Sequence, residues 1–305
     1  MHIIKMKKNF PLLFLALFLS CKTAPPVPDA DAASYIPLEG GALAYIFADV
    51  KNARPILELL PIAEMQNKQT RQILDKTQTA VAAFYPPESG RRFQLAAQGN
   101  YPGFRAGLAF GMSKYWKKCR SDAGYSFWYS AAHKLSILLN SKQAFVTAWV
   151  DDTGGDPAAP APGIEAPQGL AEFRNGAVLS CWLEKPGARI NFALEEMGIP
   201  VQLPAQHIFI SLFPAEEQKY EAIIKIRTPN ANQARSLVTI ISLARSFITP
   251  AAPAEDDQES ADVFPVLISV LFSNPPALDG RDVNIKTSAL TEKEISLLFN
   301  LFSIY

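Results

Sequence analysis

The sequence predicts an α+β protein made of two tandem modules, each running strand–helix–strand–strand–helix–strand. Three observations predict it. Apolar residues change period along the chain, alternating in some stretches and recurring every three to four residues in others. The stretch Asp152-Thr153-Gly154-Gly155-Asp156-Pro157-Ala158-Ala159-Pro160-Ala161-Pro162-Gly163 has neither period and reads as a linker. Gly41–Arg54 also aligns without a gap on Gly176–Arg189, at an offset of 135 residues. In both copies an apolar strand ends in an acid (Asp49, Glu184), a short polar turn follows, and Ala-Arg opens a helix.

In the first module the next expected element is a helix carrying Ile73, Thr77, Ala80, Val81 and Phe84 on one face. Phe93–Ala97 and Phe104–Phe110 alternate, with Gly99-Asn100 and Pro102-Gly103 between them as hairpin chemistry. A short aromatic crossover leads to strands near Tyr125–Ser130, Lys134–Leu139 and Ala144–Val150.

The second module repeats the order. A helix is expected near Ala188–Met197, closed by Gly198, and then strands at His207–Phe213 and Tyr220–Arg227. Thr228-Pro229 supplies a cap and a first-turn proline for a helix carrying Ala234, Leu237, Val238, Ile241, Ala244 and Ile248. The acidic, proline-containing stretch Thr249–Ser260 reads as a solvated loop. Strands Val263–Ser273 and Asp282–Thr287 come next, and Thr291-Glu292-Lys293-Glu294 is a capping box for a last helix. The split βαβ order of a ferredoxin-like sandwich fits both modules. The expected division is a signal peptide at 1–20, a lipidated cysteine and extended tether at 21–37, modules at 38–151 and 171–305, and the linker at 152–170.

The first twenty residues carry the address. Lys5, Lys7 and Lys8 precede Phe10-Pro11-Leu12-Leu13-Phe14-Leu15-Ala16-Leu17-Phe18-Leu19, and the run stops at Ser20-Cys21-Lys22. A basic start and a short apolar run are the layout of a secretory signal, too short for a permanent span of roughly 20 residues. Phe18-Leu19-Ser20-Cys21 resembles the lipobox of bacterial lipoproteins in the relaxed form of spirochaete lipoproteins, with Phe18 and Leu19 where a strict lipobox has Leu and a small residue. The resemblance implies cleavage before Cys21, acylation of its thiol, and a protein held at a membrane surface on the periplasmic face or the cell exterior. Lys22–Ser34, rich in Pro and Ala, would space the folded part from the lipid.

Charge excludes one class of partner. The whole chain is neutral, and removal of the three N-terminal lysines leaves 26 basic against 29 acidic residues. Nucleic acid, which selects a basic face, is not an expected partner. Beyond the signal only Cys119 and Cys181 remain, too few for a disulfide framework. Cys181 sits in an apolar strand pattern and is expected to act as a small buried hydrophobe.

No catalytic motif stands out. The two histidines after the signal, His133 and His207, lack metal-ligand spacing, and no Gly-x-Ser-x-Gly elbow, P-loop or dinucleotide fingerprint is present. No cofactor and no metal are expected. The most unusual stretch is Lys114-Tyr115-Trp116-Lys117-Lys118-Cys119-Arg120, followed by Tyr125–Tyr129. Tyr115, Trp116 and Lys117 are its candidate ligand or partner surface, with Trp116 expected on the exposed crossover and Trp128 in the core. The expected role is therefore non-enzymatic: binding an envelope protein or small ligand, or a structural part in the envelope. The alternative is an exported hydrolase whose site assembles only in three dimensions around His133 or His207.

Overall fold

The computed structural model describes residues 35–59, 71, 73–121, 124–150, 163–187, 191, 195, 202–216, 219–247, 273–292 and 294–295. The signal, Cys21 and most of the tether and the linker lie outside them. No helix of the described residues is long and apolar enough to cross a membrane. The fold is mixed α+β, mostly antiparallel sheet with few helices. It divides into two units, one reaching Glu172 and the other starting at Phe173 and including Leu59–Pro61.

The first unit begins with β1 (Tyr35–Ile36) and β2 (Ala44–Asp49). In β2, Tyr45 and Phe47 alternate into the interior. Asp49 then ends the strand and caps a helix, its Oδ1 accepting the Asn52 N–H at 3.2 Å. That helix is α1 (Val50–Glu58). Next come β3 (Thr77–Phe84), β4 (Arg91–Gly99) and α2 (Gly103–Met112). Strands β5 (Lys117–Arg120), β6 (Ser126–Ser130), β7 (Leu135–Leu139) and β8 (Gln143–Trp149) follow. The antiparallel order is β2-β3-β4-β8-β7-β6-β5.

Helix α2 covers one face of this sheet. Leu135, Ile137, Leu139, Ala144, Val146 and Ala148 pack there against Ala106 and Phe110 of α2 and against Trp116. The opposite face holds a buried polar belt. The Tyr85 hydroxyl lies 2.8 Å from the Glu39 carbonyl and 2.6 Å from Gln94 Oε1. Tyr45 donates to the same carbonyl at 3.0 Å, Arg91 pairs with the Glu39 carboxylate, and Trp149 Nε1 donates to Ser136 Oγ at 3.0 Å. The belt anchors the segment that leads into β2. Tyr35 and Ile36, expected at the end of the tether, pair with Glu165 and Ile164 of β9 (Ile164–Glu165), which falls in the expected linker. Ile36 is fully buried.

The second unit takes in Phe173, which lies in α3 (Leu170–Arg174), and then β10 (Leu179–Glu184), β11 (His207–Pro214) and β12 (Tyr220–Arg227). After them come α4 (Ala231–Phe247), β13 (Ala277–Asp279) and β14 (Asp282–Lys286). Its antiparallel order is β13-β14-β12-β11-β10. Ala234, Leu237 and Ile241 of α4 close over Ile208, Ile226, Val283 and Ile285. The helix is capped by Asn230, whose Oδ1 accepts the Gln233 N–H at 3.0 Å, rather than by Thr228. Thr228 Oγ1 is spent on the carbonyls of Asn230 and Arg281. The expected capping box forms: Glu294 Oε2 accepts the Thr291 N–H at 2.7 Å, and Thr291 Oγ1 accepts the Glu294 N–H at 3.4 Å. The expected strand Val263–Ser273 and the helix after Thr291 lie almost entirely outside the described residues, as does most of Ala188–Met197, where Asn191 and Glu195 are helical.

Three expectations are corrected. The helix drawn over Ile73–Phe84 is strand β3 from Thr77 on. Its alanines allow either state, and hydrogen bonding to β2 on one side and β4 on the other decides it. The strand drawn over Phe104–Phe110 is helix α2, whose buried Ala106 and Phe110 are one turn apart. The third correction is to the split βαβ arrangement. Such a module sets the two strands that flank a helix parallel, with another strand between them. Here β2 and β3 are direct antiparallel neighbours, Ala44 facing Phe84 and Asp49 facing Thr79. Antiparallel neighbours need no crossover between them.

The 135-residue repeat has a counterpart in the elements. β2 and β10 occupy aligned residues and share one burial pattern. Gly41 and Gly176, three residues before each strand, both take left-handed backbone, φ 81° and φ 80°. β2-β3-β4-β8 and β10-β11-β12-β14 each run in chain order, with a helix before the fourth strand.

Candidate functional site

The aromatic stretch is built by the C-terminus of α2 and the turn into β5. Ser113 ends the helix, and Lys114–Tyr115 form a turn closed by the Trp116 N–H donating to the Ser113 carbonyl at 3.3 Å. That turn sends successive side chains in opposite directions. Trp116 points inward, only 6% exposed, with its ring centroid 4.8 Å from Phe110 in an edge-on contact. Tyr115 points outward and is 46% exposed. Trp116 therefore belongs to the core rather than to the exposed crossover. Trp128 is the half-buried one, stacked on Phe110 at 5.2 Å. The expected ranking of the two tryptophans is reversed, because the lysines around Trp116 leave by the outer side of the turn while its ring fills the gap beside Phe110.

Outside this core lies a surface that mixes apolar and cationic groups. Leu108 and Met112, one turn apart on α2, are 56% and 75% exposed. Lys114 places its ammonium 5.2 Å from the centre of the Tyr115 ring. Lys117, Lys118 and Arg120 are exposed on β5, which is the outermost strand of its order. Between Arg91 and Val150 the sequence holds a single acid, Asp122, against nine lysines and arginines. The neutral total hides this local excess, and counting charge by segment would have found it.

The histidines do not assemble a catalytic group among the described residues. The His133 ring lies against Tyr115 and Trp116, at 5.8 and 5.9 Å. Both its nitrogens are buried without a hydrogen-bond partner. Burial holds its pKa below the ordinary value, so the ring is neutral at pH 7. His207 Nδ1 accepts the Trp182 indole N–H at 3.3 Å, which leaves its proton on Nε2. Burial first, and then Arg227, Arg281 and Lys185, lower its pKa as well. Beside it Arg227 and Asp282 form a two-pronged ion pair, 2.9 Å on each prong. Ser180 and Ser211, in the same sheet, bond each other at 2.7 Å. Neither imidazole is joined to a carboxylate or a hydroxyl there, so the hydrolase reading gains no geometry from the described residues.

Cys119 and Cys181 are free thiols. Burial pushes the Cys181 thiol up to about 12, the behaviour of an inert packing group. No cluster of three His, Cys, Asp or Glu suited to a metal ion occurs among the described residues. Cys21, the expected lipidation site, lies outside them.

No known family model matches the chain, and no curated protein matches it in sequence. Its fold does have solved counterparts. Crystal form IV of TP0453 superposes with a TM-score of 0.57 at 14% identity, over 88% of this chain and 95% of that one. Crystal form III gives 0.54 at 13% identity, over 91% and 99%. Crystal form I gives 0.50 at 15% identity, over 87% and 96%. At such identity the likeness is one of fold, and the chain has the mixed, mostly antiparallel architecture of TP0453.

Proposed function

We propose that this chain is an exported protein, anchored by lipid on Cys21 to a membrane surface of the cell envelope, with a non-enzymatic binding role. The address rests on the basic start, the short apolar run and Phe18-Leu19-Ser20-Cys21, followed by a proline-rich spacer. The observation that carries the binding role is the surface around Tyr115 and Lys117. It joins exposed apolar side chains to cations in a segment nearly empty of acids, and no imidazole nearby is wired for catalysis. Exposed apolar groups rimmed by charge mark contact surfaces. Tyr115 and Lys117 would meet the partner, and Trp116 would hold the turn beneath them. The same plan of strands in both units, with its repeat at 135 residues, supports descent from one duplicated α+β module.

The address is tested by replacing Cys21 with Ser. The wild-type chain should take up labelled palmitate and partition with detergent, and the variant should take up none and move to the soluble exported fraction. A wild-type chain that takes up no label, or a variant that still partitions with detergent, overturns the anchor.

A further inference from the structure

We propose that the outer edge of β5 captures an extended acidic segment of a partner protein by strand addition. The proposal deepens the binding role above and rests on it.

The first support is the sheet itself. β5 hydrogen-bonds to β6 on one side only, Lys117 facing Tyr129 and Arg120 facing Ser126, and among the described residues no strand pairs with its other side. An outermost strand turns alternate backbone N–H and C=O groups away from the sheet, where they can template another strand.

Charge then selects the occupant. Side chains alternate across a strand, so Lys117 lies on one face and Lys118 and Arg120 on the other, and all three are exposed. An added strand with acids on either face meets a cation on that face. A second copy of β5 does not fit this edge. Set antiparallel it would oppose Lys118 to its own copy or to Arg120, and like charges directly across a sheet repel. A membrane surface would account for the cations but makes no use of the unpaired backbone. Tyr115 and Met112, exposed just before the strand, offer apolar contact to a residue beyond the acidic ones.

The test uses the full acylated chain in detergent micelles and a synthetic peptide of alternating Glu and Val. Fluorescence anisotropy should show binding that weakens as salt rises. Amide hydrogen exchange at Lys117–Arg120 should slow when the peptide is added. Joint replacement Lys117→Glu and Lys118→Glu should weaken binding about tenfold, the scale of two exposed charge pairs turned repulsive. Lys142→Glu, in the turn between β7 and β8, should leave it unchanged. Unaltered exchange in β5 with saturating peptide overturns the proposal. So does protection of β5 that appears only with phosphatidylglycerol vesicles, or only on concentrating the chain alone. These readouts stand apart from the palmitate assay, so either reading can fail without the other.

Discussion

Trp116 and Trp128 contact the same Phe110 ring from different sides, yet they bear unequal shares of the core. Replacing Trp116 with Ala empties an enclosed site and should cost about 3–5 kcal/mol. The same change at Trp128, half-buried, should cost clearly less. Denaturant midpoints of the two variants check the order, and equal losses would contradict it. His133 poses a different question, since both its ring nitrogens are desolvated without compensation. Its folded pKa lies below the ordinary value near 6.5. Unfolded chains therefore bind more protons than folded ones as pH falls past that value. The stability that the neutral ring contributes is complete above about pH 6.5 and is lost as pH falls through the lower, folded pKa. His133→Phe keeps the ring and removes the titration. It should raise stability at neutral pH by about 1 kcal/mol and flatten the decline between neutral and mildly acid pH, measured by denaturant unfolding at each pH. A variant as acid-sensitive as the wild type would assign the decline elsewhere, His207 first. Little of this was legible beforehand. The cations beside Trp116 suggested exposure, but side-chain direction in a two-residue turn is set by φ and ψ, which composition does not reveal.

Elements with strong local signals were legible, and those decided by distant partners were not. His207–Phe213, Tyr220–Arg227 and the helix after Pro229 emerged within a few residues because β-branched alternation and a broad apolar stripe speak for themselves. β3 is alanine-rich, and only its two flanking strands make it a strand. The β3–β4 turn was missed as well, although Pro86-Pro87-Glu88-Ser89-Gly90 is turn chemistry, with Gly90 at φ 72°. Gly41 and Gly176 give the repeat a test at this scale. Both need a left-handed backbone, and a Cβ at either meets nothing within 4 Å. Substituting Ala should therefore destabilise through conformation alone, by about 1 kcal/mol at each site. Similar losses in thermal unfolding would support a shared design, whereas a neutral change at one site would separate the two turns.

For the whole molecule, the order of elements was more legible than their arrangement. The first half does open strand–helix–strand–strand–helix, but four strands, β5 to β8, follow α2, and the observed neighbours do not follow the split βαβ pattern. Register is a property of pairs, and a single sequence does not display pairs. The same limit governs the linker. Its composition was clear, yet Ile164–Glu165 pairs with β1 and Leu170 is fully buried. That pairing sharpens where a protease should act. Backbone committed to a ladder resists cleavage, while Pro-, Gly- and Ala-rich sequence has little to bury. Limited proteolysis of the folded chain should therefore cut first between Asp152 and Pro162, before Ile164, and leave the pairing of β1 with β9 intact. After the cut, each unit has its own apolar core to sustain it, around Ile137 and Phe110 in one and around Leu237 and Val283 in the other. Two fragments that each unfold cooperatively in denaturant would identify the units as independent folding bodies. A first cut within β10 or β11, or fragments that lose structure once separated, would instead make stability a property of the intact chain, and the repeat at 135 residues a likeness of pattern without autonomy.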